Sequence, residues 1–365
     1  MFDKSKMLPI LVAAVICWTY SVHMPSLASA QVAGVPTTTQ IPAADDQTSK
    51  IVDAANAFLA TLSTNQKTAA LFAFTDSAQR VRWSNLPVGI FTRLGVRWGE
   101  LNDAQRTALI NLLGTVLSPR GVRMVQEQMA ADDVLRITST GGAGGNAPGR
   151  PIFGSDYYFV SFVGTPSTTS PWMLQYGGHH LAVNATVVGP NVTLSPTLTG
   201  GQPVRFTLKG KPIYIVENEV DRATELLNGL TETQRRQTVV STQRIDLVLG
   251  PGQDGKTLQP EGLPGSEMTL SQKTQFLALI KARLGILNDD DLAGKMAAVQ
   301  ENLDKTYFAW YGPMAEAGAS YFRVNGPTVL LEFSPQALGG DPPNHLHNMY
   351  RDPTNEYGAA WTSLK

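Results

Sequence analysis

Four of the five histidines in this 365-residue chain stand in two short clusters, Gly178-His179-His180-Leu181 and Asn344-His345-Leu346-His347. Neutral imidazole is the commonest metal ligand, and in an extended segment residues i and i+2 project from one face, so His345 and His347 can converge on one ion while Leu346 points away. Adjacent His179 and His180 cannot both do so if the chain there is extended. Counting by two from His180 meets Ala182, Asn184, Thr186 and Val188, a more polar face than Leu181, Val183, Ala185 and Val187, which follow from His179. His180 is therefore the expected ligand and His179 a supporting or core-packed residue, unless a turn at Gly177-Gly178 reverses the two.

A carboxylate for the same site is offered by Glu332 in Val329-Leu330-Leu331-Glu332-Phe333, because a charge in so apolar a strand is costly to bury unless paired or metal-bound. Glu332 is read as a fourth ligand or general base, with an ion pair to Arg323 as the structural alternative. Arg351 and Asp352 follow the second histidine cluster and can orient ligands or substrate, or pair with each other. Nitrogen and oxygen donors suit a divalent transition metal, Zn, Cu or Fe. Such an ion supports hydrolysis through an acidified water, or oxidation if redox-active. Two further readings stand beside a metal-dependent hydrolase or oxidase: a non-catalytic binding protein for a metal ion or small ligand, and a structural or surface interaction module.

Other chemistry is excluded or weakly signalled. There is no Gly-x-Ser-x-Gly and no His-Glu-x-x-His. With 29 basic against 30 acidic residues, the chain offers no general attraction for nucleic acid or anionic lipid. Asp289-Asp290-Asp291 follows Asn288 at an expected helix start, where carboxylates complement the helix dipole.

Lys4 and Lys6 precede an apolar run from Met7 to Trp18, then Pro25 and Ala28-Ser29-Ala30, the layout of a cleavable secretory signal over residues 1–30. The run is shorter than the roughly 20 residues that span a bilayer. A secreted or periplasmic protein without stable membrane insertion is expected, and cleavage would remove Cys17, the single cysteine. Thiolate nucleophiles and cysteine-ligated metals are then excluded. The expected partners are a small-molecule substrate or a metal ion.

The elements that must position these residues follow a flexible leader, 31–46. Four phrases, Leu62–Lys67, Leu101–Arg106, Leu230–Arg235 and Met268–Lys273, each place Ser, Asn or Thr three residues before Gln, the pattern of a capping box that starts a helix. Their irregular spacing reads as punctuation of structure and not as a solenoid. Helices are expected over 47–137, strands over 155–216, helices again over 220–303, and strands with the second histidine motif over 305–365, with Gly141–Gly145 a flexible connector. Blocks without βαβ alternation predict a single α+β domain over 47–365, its antiparallel sheet built from the middle and C-terminal strands and flanked by helices.

At these residues the chain resembles a bacterial family catalogued as domain of unknown function 3500. The resemblance rests on Gly178-His179-His180-Leu181-Ala182-Val183-Asn184, Asn344-His345-Leu346-His347, Arg351-Asp352-Pro353 with Glu356-Tyr357-Gly358, and Tyr321–Pro327 leading to Glu332. It departs at Pro171-Trp172-Met173-Leu174, where a second aromatic residue is usual. The family implies no activity, so it supports the positions singled out without assigning them a role.

Overall fold

The structure, a computed structural model, describes residues 41–139, 150–339 and 341–362, together with the backbone of Leu27–Ser29, which pairs antiparallel with Lys256–Leu258. Residues 1–26 and 30–40, most of the expected signal and leader, and the glycine-rich segment 141–145 lie outside the described residues. All four expected capping boxes are present, at Ser63/Gln66, Asn102/Gln105, Thr231/Gln234 and Thr269/Gln272. In each, the N-cap oxygen accepts the N3 amide and the glutamine reaches back to the N-cap amide, so two otherwise orphaned donors are satisfied.

Eight strands form the body of the sheet: β1 (Phe159–Val163), β2 (Trp172–Gly178), β3 (Leu181–Val188), β4 (Thr197–Gly201), β5 (Tyr307–Tyr311), β6 (Tyr321–Asn325), β7 (Leu330–Pro335) and β8 (Leu346–Arg351). They run antiparallel in the spatial order β5-β6-β7-β8-β4-β3-β2-β1, so the C-terminal strands continue the sheet of the middle ones. The sheet is mixed, however, and not purely antiparallel. Leu71–Phe72 adds parallel to β1 at one edge and Val239–Ser241 adds parallel to β5 at the other. Each edge strand is separated from its neighbour in sequence by long helical segments, and such crossovers are what permit parallel pairing. Within the expected helical block 220–303, Val239–Ser241, Lys256–Leu258 and Leu263–Pro264 are short strands.

Helices cover one face of the sheet, burying Val160, Phe162, Leu174, Tyr176, Val183, Ala185, Phe322, Leu331 and Phe333 against them. The alternate residues face the other way, where Val163, Met173, Ala182, Leu198 and Met349 pack on Trp83 and Tyr357 from covering loops. Odd-numbered His345 and His347 share strand parity with Met349 and belong to this loop-covered side.

The strand order reads the same from both ends because the fold is an internal duplication. Helix Asp46–Thr61, the boxed helix Thr64–Ala70, a parallel edge strand, the boxed helix Asp103–Val116 and strands β1 to β4 recur as Glu217–Gly229, Glu232–Thr238, an edge strand, Leu270–Leu284 and β5 to β8. Gln66 and Gln105 exchange side-chain amide hydrogen bonds, and so do Gln234 and Gln272. At the seam Ser118 N donates to Ile286 O at 2.9 Å while Asn288 N donates to Val116 O at 3.2 Å. Four phrases read as punctuation are thus two pairs, related by an approximate two-fold axis.

Candidate metal centre

His179 and His180 are not strand residues. They are the two turn residues of the hairpin joining β2 to β3, flanked by the pair Gly178 and Leu181. The parity argument therefore does not apply to them. His180 adopts a left-handed φ of 60°, which costs a non-glycine residue about 1–2 kcal/mol, and the turn is held from several sides. His180 N donates to Asn85 O at 3.2 Å, Tyr158 Oη donates to His179 O at 2.8 Å, and Arg93 Nη2 donates to Gly178 O at 2.8 Å as well as to Ser84 O and Leu86 O. A strained backbone that is fixed this firmly aims the His180 ring at the start of β8.

There it meets His345 and His347. One ring nitrogen from each of His180, His345 and His347 lies within 4.8 Å of the other two, and the three residues are buried at 3, 5 and 8% exposure. His180 Nε2 stands 3.0 Å from His345 Nε2. His345 Nδ1 lies 2.6 Å from the carbonyl oxygen of Leu338, so Nδ1 carries the proton and Nε2 presents a lone pair. This is the orientation that a backbone carbonyl imposes on a metal-ligating imidazole. The Asn85 amide donates to His347 Nε2 at 3.1 Å. Burial pushes His180 well below the usual imidazole range, lowers His345, and takes His347 down to about 3, with the neighbouring histidines adding repulsion. All three rings are neutral at pH 7, the form in which imidazole binds a metal.

His179 stands apart from the triad, yet touches it. Its ring centroid is 3.7 Å from that of His180, and its Nδ1 is 2.7 Å from Asp132 Oδ1 on the helix Pro119–Thr138. Asp132 is held in turn by the amide of Gly154 at 2.8 Å.

Glu332, Arg351 and Asp352 do not join the three histidines. The buried Glu332 carboxylate accepts Val248 N and Leu249 N, each at 2.8 Å, and Tyr321 Oη at 2.7 Å. Its cross-strand neighbour is Arg323, as the structural alternative required, but that guanidinium pairs with Glu261. Arg351 clamps the loops over the sheet through Leu249 O, Gly250 O, Asp254 and Glu356. Asp352 pairs with Lys295 and not with Arg351. Asn85, Arg93 and Asp132 were missed by sequence reasoning; they are ordinary polar residues of a loop and a helix, with no spacing that ties them to the histidines.

A family model described as a protein of unknown function, DUF3500, matches residues 44–359. The chain belongs to this family. Both histidine clusters, Asp132, Asn85 and the duplicated framework all fall within the matched span. No curated protein and no solved structure matches the chain.

Proposed function

We propose that the chain is an extracytoplasmic metalloprotein in which His180, His345 and His347 hold a single divalent transition metal. The observation that carries this reading is the contact between His180 Nε2 and His345 Nε2 at 3.0 Å, with the His345 lone pair fixed toward it by Leu338 O. In the metal-free protein a proton on His180 Nε2 satisfies this contact as a hydrogen bond, and a cation can take the proton's place because the three buried rings bring one nitrogen each within 4.8 Å of the others. The donors are all nitrogen, which suits Zn or Cu better than the hard oxygen-seeking ions.

With three histidines as its protein ligands, a bound ion would keep a position open for water or substrate, as catalytic sites do and closed structural ones do not. A metal held there supplies Lewis acidity to that fourth ligand. Among the chain's own residues, the His179–Asp132 pair is the proton acceptor at hand, since it abuts His180 and a carboxylate orients its imidazole. This pair takes the role that the sequence assigned to Glu332. We read the site as a hydrolytic centre acting on a small molecule outside the cytoplasm, the compartment resting on the signal-like pattern of residues 1–30. The near-complete burial of the three histidines favours, as a second reading, a protein that holds metal without turnover.

Elemental analysis of protein purified without a histidine tag tests the metal: about one equivalent is expected, lost in His345→Ala/His347→Ala with the far-ultraviolet circular dichroism unchanged. Wild type that stays empty after incubation with Zn, Cu and Fe refutes it. His179→Ala separates the two readings, because a hydrolase keeps its metal and loses turnover in an ester, amide and phosphate screen, whereas a carrier has no turnover to lose.

A further inference from the structure

The approximate two-fold axis carries the histidine site onto a second place in the molecule. The hairpin turn that holds His180 corresponds to the turn between β6 and β7, where Thr328 stands at the equivalent position, and the start of β8 corresponds to the short strand Asn191–Thr193. Asn191 and Thr193 therefore occupy the places of His345 and His347. At this second place the structure has a cavity of about 410 Å³, lined by Asn191, Thr193, Thr328, Lys295, Tyr350 and Trp361 among others. Its volume is that of a small-molecule pocket.

The walls say what fits. Thr328 Oγ1 is buried without a hydrogen-bond partner among the described residues. Lys295 is half-buried in the wall, where it donates to Thr328 O and pairs with Asp352, whose other oxygen accepts the Thr354 amide at 3.0 Å. Asp45, Asp290 and Asp291 also line the cavity, so carboxylates outnumber the single ammonium and an anion is repelled. Gly294 lies on the helix Asp289–Glu301 at the cavity wall, and a Cβ added there meets nothing within 4 Å. Glycine inside a helix costs about 1 kcal/mol relative to alanine, and here it leaves the space clear.

We propose that this cavity binds a small uncharged polyhydroxylated molecule of the monosaccharide class. Its hydroxyls can donate to the carboxylates and accept from Lys295, Asn191 and the threonines, and its apolar face can lie on Tyr350 or Trp361. In this proposal duplication has given one chain two sites of different chemistry: imidazoles in one half, hydroxyl, amide and carboxylate groups in the other.

Saturation-transfer NMR on the full chain, with glucose, galactose, mannose and xylose as neutral probes and glucuronate as the anionic one, tests it. At least one neutral sugar is expected to receive transfer, with glucuronate silent. Gly294→Leu sets a side chain into the space that the glycine leaves clear and should abolish the transfer while leaving the protein as heat-stable as wild type or more so; His345→Ala/His347→Ala should leave the transfer intact. Silence from all four neutral sugars, equal transfer in Gly294→Leu, or a stronger signal from glucuronate overturns the proposal.

Discussion

Acidification should destabilise the metal-free protein through the buried imidazoles, and His347 provides the cleanest measure. In the unfolded chain His347 titrates near the ordinary value of 6.5, while in the folded protein burial holds it down to about 3. Between those two pH values the unfolded state binds a proton that the folded state does not, so stability rises with pH across that window and falls as pH is lowered through it. Each pH unit below 6.5 costs about 1.4 kcal/mol, which makes the loss between pH 7.5 and pH 5.0 about 2 kcal/mol from this one ring, a large part of the stability of an ordinary domain. His180 and His345 act in the same direction, because burial lowers both. The assay is urea unfolding of chelator-treated protein at the two pH values, for wild type and for His347→Gln, which removes the titrating group. The variant should lose about 2 kcal/mol less than wild type over the same interval. Equal losses would mean that the His347 ring is solvated and protonated in the folded protein, and the description of a buried neutral triad would fail.

Three other outcomes are expected. Glu332→Gln sets an amide N–H against one of the Val248 and Leu249 donors, and should cost about 1–3 kcal/mol of stability in urea with metal content unchanged; loss of metal would return Glu332 to the site. Arg351→Met leaves Glu356 and two carbonyl oxygens without their partner and should cost about 3–5 kcal/mol, read by thermal unfolding, again without loss of metal. Export in a bacterial host should yield a chain whose intact mass lacks residues 1–30, and a retained N-terminus would argue for an anchor.

Where the residues that set a feature are neighbours in sequence, the feature was legible. All four capping boxes follow from a Ser, Asn or Thr three residues before Gln. The shared face of His345 and His347 follows from strand alternation alone. Where distant residues decide, local reasoning failed. The choice between His179 and His180 rests on a turn fixed by the backbone of Asn85 and the hydroxyl of Tyr158, and no count by two could see it. Glu332 was rightly expected to need partners, but they are backbone amides more than eighty residues away. The duplication left a faint trace, since the first phrase recurs at Leu230 and the second at Met268 with nearly the same spacing. That trace is overlooked when all four phrases are compared as one series, and the strand order makes it plain.

The central pairing of β8 with β4 has a bearing on how such a chain can change over time. Thr197 and Tyr350 face each other near the two-fold axis, as equivalent residues do at the contact between two identical subunits. In an assembly of two identical half-length chains, every substitution would appear twice, and a histidine gained at one turn would be gained at the other. Fusion into one polypeptide lifts that restriction. Each half is then free to drift alone while its partner preserves the shared sheet, and His180 opposite Thr328, with His347 opposite Thr193, records that independence residue by residue.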